Sequence, residues 1–127
     1  MNGILTCHSD RDVADTVAAI ADEIRKRGAA VVAIVDHAAA AEAAALTMPA
    51  TQVIIFGNPA AGTPLMLDAP DIAIDLPLRI LVRDDGSAGS AISWQDPEFV
   101  GGRFGLGDGR LGPLSAPASI IAAVLGD

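Results

Sequence analysis

Tyrosine is absent, and the 127 residues include one tryptophan, three phenylalanines and one cysteine. Each scarcity closes off a class of function. A lone Cys7 excludes an intrachain disulfide and any multi-cysteine zinc or iron–sulfur centre. So few aromatic side chains cannot tile a base-stacking platform for nucleic acid. Basic residues are also few, 8 against 16 acidic, for a net charge of −8. That balance opposes binding to a phosphate backbone or to an anionic membrane. No apolar run reaches the 18 or so residues of a membrane span. The start, Met1-Asn2-Gly3-Ile4-Leu5, lacks the basic stretch and cleavage site of a secretory signal. The expectation is a cytoplasmic chain with no nucleic-acid partner and no membrane.

Aliphatic residues fill the gap. There are 25 alanines, and hydrophobic residues reach 51% against 19% charged, a balance that excludes intrinsic disorder. The core must be built from Ile, Leu, Val and Ala. A chain of this length is expected to form one domain, residues 1–127, with a core large enough to need no staples.

Gly3 to His8 reads as a short strand. Ser9 with Asp12 suggests a capping box, and Val13, Val17, Ile20 and Ile24 then recur at helical spacing up to Arg25-Lys26-Arg27-Gly28. Ala29 to Val35 is a β-branched run, read as a buried second strand. Asp36 is placed to cap an alanine-rich helix from His37 to Leu46. Thr51 to Phe56 makes a third strand. Gly57 to Gly62 reads as a loop, with Thr63 capping a short helix that has Pro64 at its first position. Leu78 to Arg83 alternates, with Leu78, Ile80 and Val82 on one face and Arg79, Leu81 and Arg83 on the other. Asp84-Asp85-Gly86-Ser87 is a hairpin turn, and Ala88 to Trp94 returns as the fifth strand. Asp96-Pro97 can start a helical turn. Residues 101–112 contain six glycines and read as a flexible connection. A last helix is expected over about 116–125. The first two strands are expected to be parallel, joined by a right-handed crossover. The class is α+β: a mixed or antiparallel sheet of about five strands backed by helices.

Two places look chemical. Cys7 and His8 end the first strand, and Asp36 and His37 end the second. Were these strands parallel neighbours, all four would share one edge of the sheet, beside helix N-termini. A transition metal could then use His8, His37 and one of Asp36 or Cys7. The bland alternative, a cap and half-exposed neighbours, is the stronger reading, so no metal or other cofactor is expected. The second place is Gly57-Asn58-Pro59-Ala60-Ala61-Gly62-Thr63, which nearly fits a phosphate-binding loop. The loop's lysine is missing, and Pro64 stands where a magnesium-binding hydroxyl belongs, so nucleotide hydrolysis is excluded. A loop holding a small ligand through backbone N–H groups and Asn58 remains. The serines form no nucleophile elbow. Arg79 and Arg83 are read as ion-pairing partners of an acidic surface that includes Asp68, Asp71 and Asp75. Trp94 and Phe99 are read as core.

Periodicity does not explain Val53-Ile54-Ile55-Phe56-Gly57-Asn58-Pro59, Gly62-Thr63-Pro64-Leu65-Met66 or Ile74-Asp75-Leu76-Pro77-Leu78-Arg79. In that order and spacing they resemble the family called domain of unknown function 302. Val35-Asp36-His37-Ala38-Ala39, Asp84-Asp85-Gly86 and Gln95-Asp96-Pro97 extend the resemblance, which spans about residues 11–106. It implies a curved sheet backed by helices, similar to a TATA-binding-protein-like half-fold, and a chain usually seen as a dimer. It implies no established reaction. Two positions depart from the pattern: Phe104 follows Arg103 where relatives often carry His, and Trp94 replaces a Tyr. The leading expectation is a non-catalytic, homodimeric small-ligand-binding domain using Asp36, His37, Asn58, Gly62, Thr63 and Asp96, with His37 facing a cleft bounded by the Asn58–Thr63 loop. The alternatives are an enzyme pairing His37 with Asp36 or Asp96 as acid and base, and a purely structural interaction module.

Overall fold

The computed structural model describes residues 2–126. Five strands, β1 (Ile4–Ser9), β2 (Ala30–Asp36), β3 (Thr51–Gly57), β4 (Leu78–Arg83) and β5 (Ser90–Gln95), form one sheet. The helices are α1 (Val13–Lys26), α2 (His37–Ala43), α3 (Pro59–Asp68), α4 (Pro97–Arg103) and α5 (Ala116–Leu125), with short 3-10 turns at Pro70–Asp75, Asp108–Arg110 and Gly112–Ser115. The α+β class and the single sheet backed by helices hold.

The strand order is β1-β5-β4-β3-β2, and every neighbouring pair is antiparallel. The expected parallel pairing of β1 with β2 is therefore wrong. The two point the same way, but three strands separate them, so they form opposite edges of the sheet. β1 takes β5 as its partner, with Thr6 opposite Ser93 and their hydroxyls 2.9 Å apart.

One face of the sheet is covered by α1 and α5. Val13, Val17, Ile20 and Ile24 of α1 pack with Ile120 and Ile121 of α5 onto Ile54, Phe56, Ile80, Val82 and Ile92. The helical stripe read in the sequence is thus the inner face of α1. Its cap differs: the Asp12 carboxylate accepts the Asp15 N–H at 2.8 Å. Ser9 instead turns inward to Thr16, whose hydroxyl also meets Ser90, so three buried hydroxyls tie β1, α1 and β5 together. A second cluster, Leu65, Ile72, Val100 and Leu114, lies beneath the α3, α4 and C-terminal segments.

Three further expectations are corrected. β2 is no buried strand: Val32 is 60% and Ile34 41% exposed. Up to its final Asp36 its sequence is uncharged and rich in β-branched residues, as in a covered strand, yet it pairs on one side only, and a bulge between Val31 and Ala33 breaks its register. Residues 101–112 are no loose connection. α4 continues through Gly101, where a Cβ would collide with the Leu111 side chain, so the glycine lets the following turn pack closely. Phe99 is 41% exposed rather than core. Trp94, by contrast, does pack against the main cluster, and its indole N–H is buried with no hydrogen-bond partner among the described residues.

Candidate functional site

The topology separates residues that the parallel arrangement would have gathered. β2 runs antiparallel to β3, with Ala30 opposite Gly57 and Asp36 opposite Gln52. His37 therefore leaves the sheet at the end opposite the Asn58 segment, about 20 Å away at ordinary strand rise. His37 is exposed, and the Asp36 carboxylate is engaged in capping α2 through the Ala39 N–H at 2.9 Å. The expected cleft joining His37 to the Asn58–Thr63 segment does not exist. The Cys7, His8 and His37 alternative fails for the same reason. Four inter-strand steps, about 19 Å, lie between the two edges, and no group of three metal-ligating side chains occurs among the described residues.

Asp96 lies at the same end of the sheet as Asn58, since β3 and β5 run in the same direction. It caps α4 through the Glu98 N–H at 3.0 Å. The role expected from Asp96-Pro97 is that of a helix start, and the structure bears this out.

Asn58, Gly62 and Thr63 do come together. The helix begins earlier than the sequence suggested. Asn58 is the cap of α3, its Oδ1 accepting the Ala60 N–H at 3.0 Å, and Pro59 holds the first position. Pro64 falls inside the helix, so Thr63 is no cap but a side chain on its surface. Neither Gly57 nor Gly62 has a positive φ, and a Cβ at either would meet only ordinary contacts. Neither glycine is therefore required by its backbone conformation.

These three residues line a cavity of about 470 Å³, open on one side. Its floor is Phe56, Leu65, Leu114 and Ile120, all buried. Met66, Leu76, Leu78, Pro77 and Pro113 build the walls, and Ala30 and Val32 bring in the start of β2. Polar side chains are confined to Arg27, Asn58 and Thr63, each exposed. Arg27 is already committed. Its Nε donates to Glu23 at 2.8 Å, and Nη1 and Nη2 donate to the hydroxyl and carbonyl of Ser119 at 2.8 and 3.2 Å. A volume of this size with dry walls and a few polar groups matches the usual build of a small-molecule site. Sequence reasoning missed most of its lining, because Ala29, Pro113, Ala116 and Ile120 share no local pattern.

A second, much smaller hollow of about 20 Å³ touches Asp75, Arg79 and Gln95. It has room for little more than one water. Asp75 is buried and accepts Arg103 Nη1 at 2.8 Å, with Arg79 Nη2 at 3.7 Å. This is the ion pairing expected for Arg79. It ties the 3-10 turn before β4 to α4, and the Arg103 guanidinium lies over the Phe104 ring at 5.1 Å. Asp68 pairs with Arg110. These contacts brace the segments that roof the cavity.

The family described as "Domain of unknown function DUF302" matches residues 5–116. A crystal structure of an uncharacterized conserved DUF302 protein from Bacillus stearothermophilus is similar in fold. Its TM-score is 0.81 at 12% identity, covering 99% of this chain and 98% of that one. Among curated proteins, "Fluoride-specific ion channel FluC 1" of Brucella suis biovar 1 is 39% identical over 125 residues. The protein of the same name from Brucella abortus biovar 1 is equally similar. The match takes in 98% of this chain but 47% and 44% of those proteins, so the chain spans about half the length of these relatives.

Proposed function

The chain belongs to the DUF302 family, and we propose that it serves as a non-catalytic, homodimeric domain that binds a small, largely apolar ligand. The cavity beside Asn58, Gly62 and Thr63 carries this reading: about 470 Å³ of open space over an apolar floor is what an organic ligand needs. The absence of any acid–base pair around it, among the described residues, supports binding over chemistry. The dimer is supported by β2, an edge strand with no charge before Asp36, whose exposed Val32 and Ile34 are a ready surface for a second copy. Sedimentation at micromolar concentration should give about twice 12.8 kDa; a monomer there removes the dimer.

The ligand is tested by native mass spectrometry of gently purified protein. A retained small molecule should add to the chain mass, and Gly62→Leu, which places a side chain in the cavity, should lose it. Bare protein that also takes up no apolar dye ends the reading.

A second reading is favoured by the Brucella proteins. There a domain 39% identical to this chain forms about half of a protein named as a fluoride channel. That supports a role beside such a channel. No helix among the described residues is long and apolar enough to cross a membrane, and this reading assigns the chain a companion's place, not the conduction path. Deleting its gene should lower the fluoride tolerance of the cell; unchanged tolerance counts against it.

A further inference from the structure

We infer that the cavity takes a neutral, carbonyl-headed apolar molecule in preference to a free carboxylic acid of the same length. The inference rests on the ligand-binding reading above and narrows it to a chemical class. Size sets the first limit. The cavity, about 470 Å³, is about fifteen times the share of one water molecule in the liquid, so it suits an organic molecule and not an ion.

Polarity sets the orientation. Phe56, Leu65, Leu114 and Ile120 are buried at the floor, whereas Asn58 and Thr63 are exposed at the rim. An amphiphile gains most by placing its chain on the floor and its head at the rim.

The rim then chooses the head. The Asn58 Oδ1 is held by the Ala60 N–H at 3.0 Å, which leaves the amide Nδ2 as the remaining group, a donor. The Thr63 hydroxyl makes no hydrogen bond to the described residues and can donate as well. Both are neutral. The one cation on the rim among the described residues, Arg27, has its charge matched by Glu23 at 2.8 Å and is held in place by one bond from each Nη atom to Ser119. A carboxylate arriving here would be desolvated without a free counter-charge, in a chain of net charge −8. A ketone, ester or amide carbonyl costs little to desolvate and pairs with the amide N–H.

The test uses N-phenyl-1-naphthylamine, a neutral dye that brightens in apolar sites, on the full chain. Displacement is compared for 2-undecanone and decanoate at neutral pH, both below micelle-forming concentration. The ketone should displace the dye at about tenfold lower concentration than the acid. Asn58→Asp keeps a side-chain oxygen that can cap α3 but removes the amide donor. It should weaken the ketone about two- to tenfold, the worth of one hydrogen bond, with the thermal midpoint unchanged. Decanoate competing as well as the ketone, or Asn58→Asp leaving ketone affinity intact, overturns the head-group assignment. No dye binding, or binding untouched by Gly62→Leu, instead overturns the cavity reading itself.

Discussion

α1 and α3 both lie beside the sheet, and they pack to different degrees. α1 lays four branched side chains, two of them Ile20 and Ile24 with no exposed surface, onto β3, β4 and β5. α3 buries only Leu65, and the space between it and the end of the sheet stays empty. The residue types explain the contrast. α1 repeats its apolar positions at spacings of four, three and four, so every turn sends a large side chain inward. α3 reads Pro-Ala-Ala-Gly-Thr-Pro before its first leucine, and small residues on the inner side cannot fill the gap they face. A helix made to stabilise would not be built that way.

The sharpest way to break this comparison is to truncate one side chain in each layer. Ile20→Ala should cost about 2–5 kcal/mol in urea titrations, as for other close-packed sites. Leu65→Ala should cost clearly less, because one side of Leu65 already borders a void. Equal losses would mean that the α3 layer is as tightly packed as the α1 layer.

Glycines offer a second contrast. Gly89 has φ +100, and a Cβ there would strike the Ser9 carbonyl, so Gly89→Ala should cost at least about 1–3 kcal/mol. Gly62 sits in a helix with ordinary φ, and a Cβ there would meet only ordinary contacts with Leu76 and Met66. Gly62→Ala should therefore stabilise, by about 0.5–1 kcal/mol. Thermal melts of the two variants moving in the same direction would refute this.

The smallest effect belongs to a region outside both layers. The Asp85 carboxylate in the β4–β5 turn accepts the Ser87 hydroxyl and N–H, and these bonds hold its pKa below the usual value. The unfolded chain binds that proton more readily. The resulting stabilisation is present above the unfolded carboxylate pKa and is lost as pH falls through the lower, folded one. Carboxyl NMR should show Asp85 titrating low and Ser87→Ala returning it toward normal, with no change in dye uptake.

Much of the fold was legible in the sequence. The inner stripe of α1, the alternation of β4 and the Asp-Asp-Gly turn depend on neighbours two to four residues apart, and local pattern reports those distances. Strand partners are not local. Nothing in Ile4–Ser9 says that β5 lies beside it, and the run from Ala30 to Val35 has the composition of a covered strand while lying at an edge. Part of the candidate site was found because Asn58, Gly62 and Thr63 stand within one helix. Asp36 and His37 lie at the other end of the sheet because β2 runs antiparallel to β3, whereas Asp96 lies at the Asn58 end but outside the cavity lining. Asp36 and Asp96 proved to be helix caps, a role their sequence neighbours also announced.

The order of the strands carries a consequence for how the molecule is made. β2, β3, β4 and β5 are successive antiparallel neighbours, so each can pair as it leaves the ribosome. β1 is synthesised first, yet its only partner is β5, most of the chain away. Closing so long a loop is slow compared with the pairing of adjacent strands. The meander can therefore assemble while β1 still waits, and the hydroxyls of Ser9, Thr16 and Ser90 meet only when the first strand made becomes the last to dock.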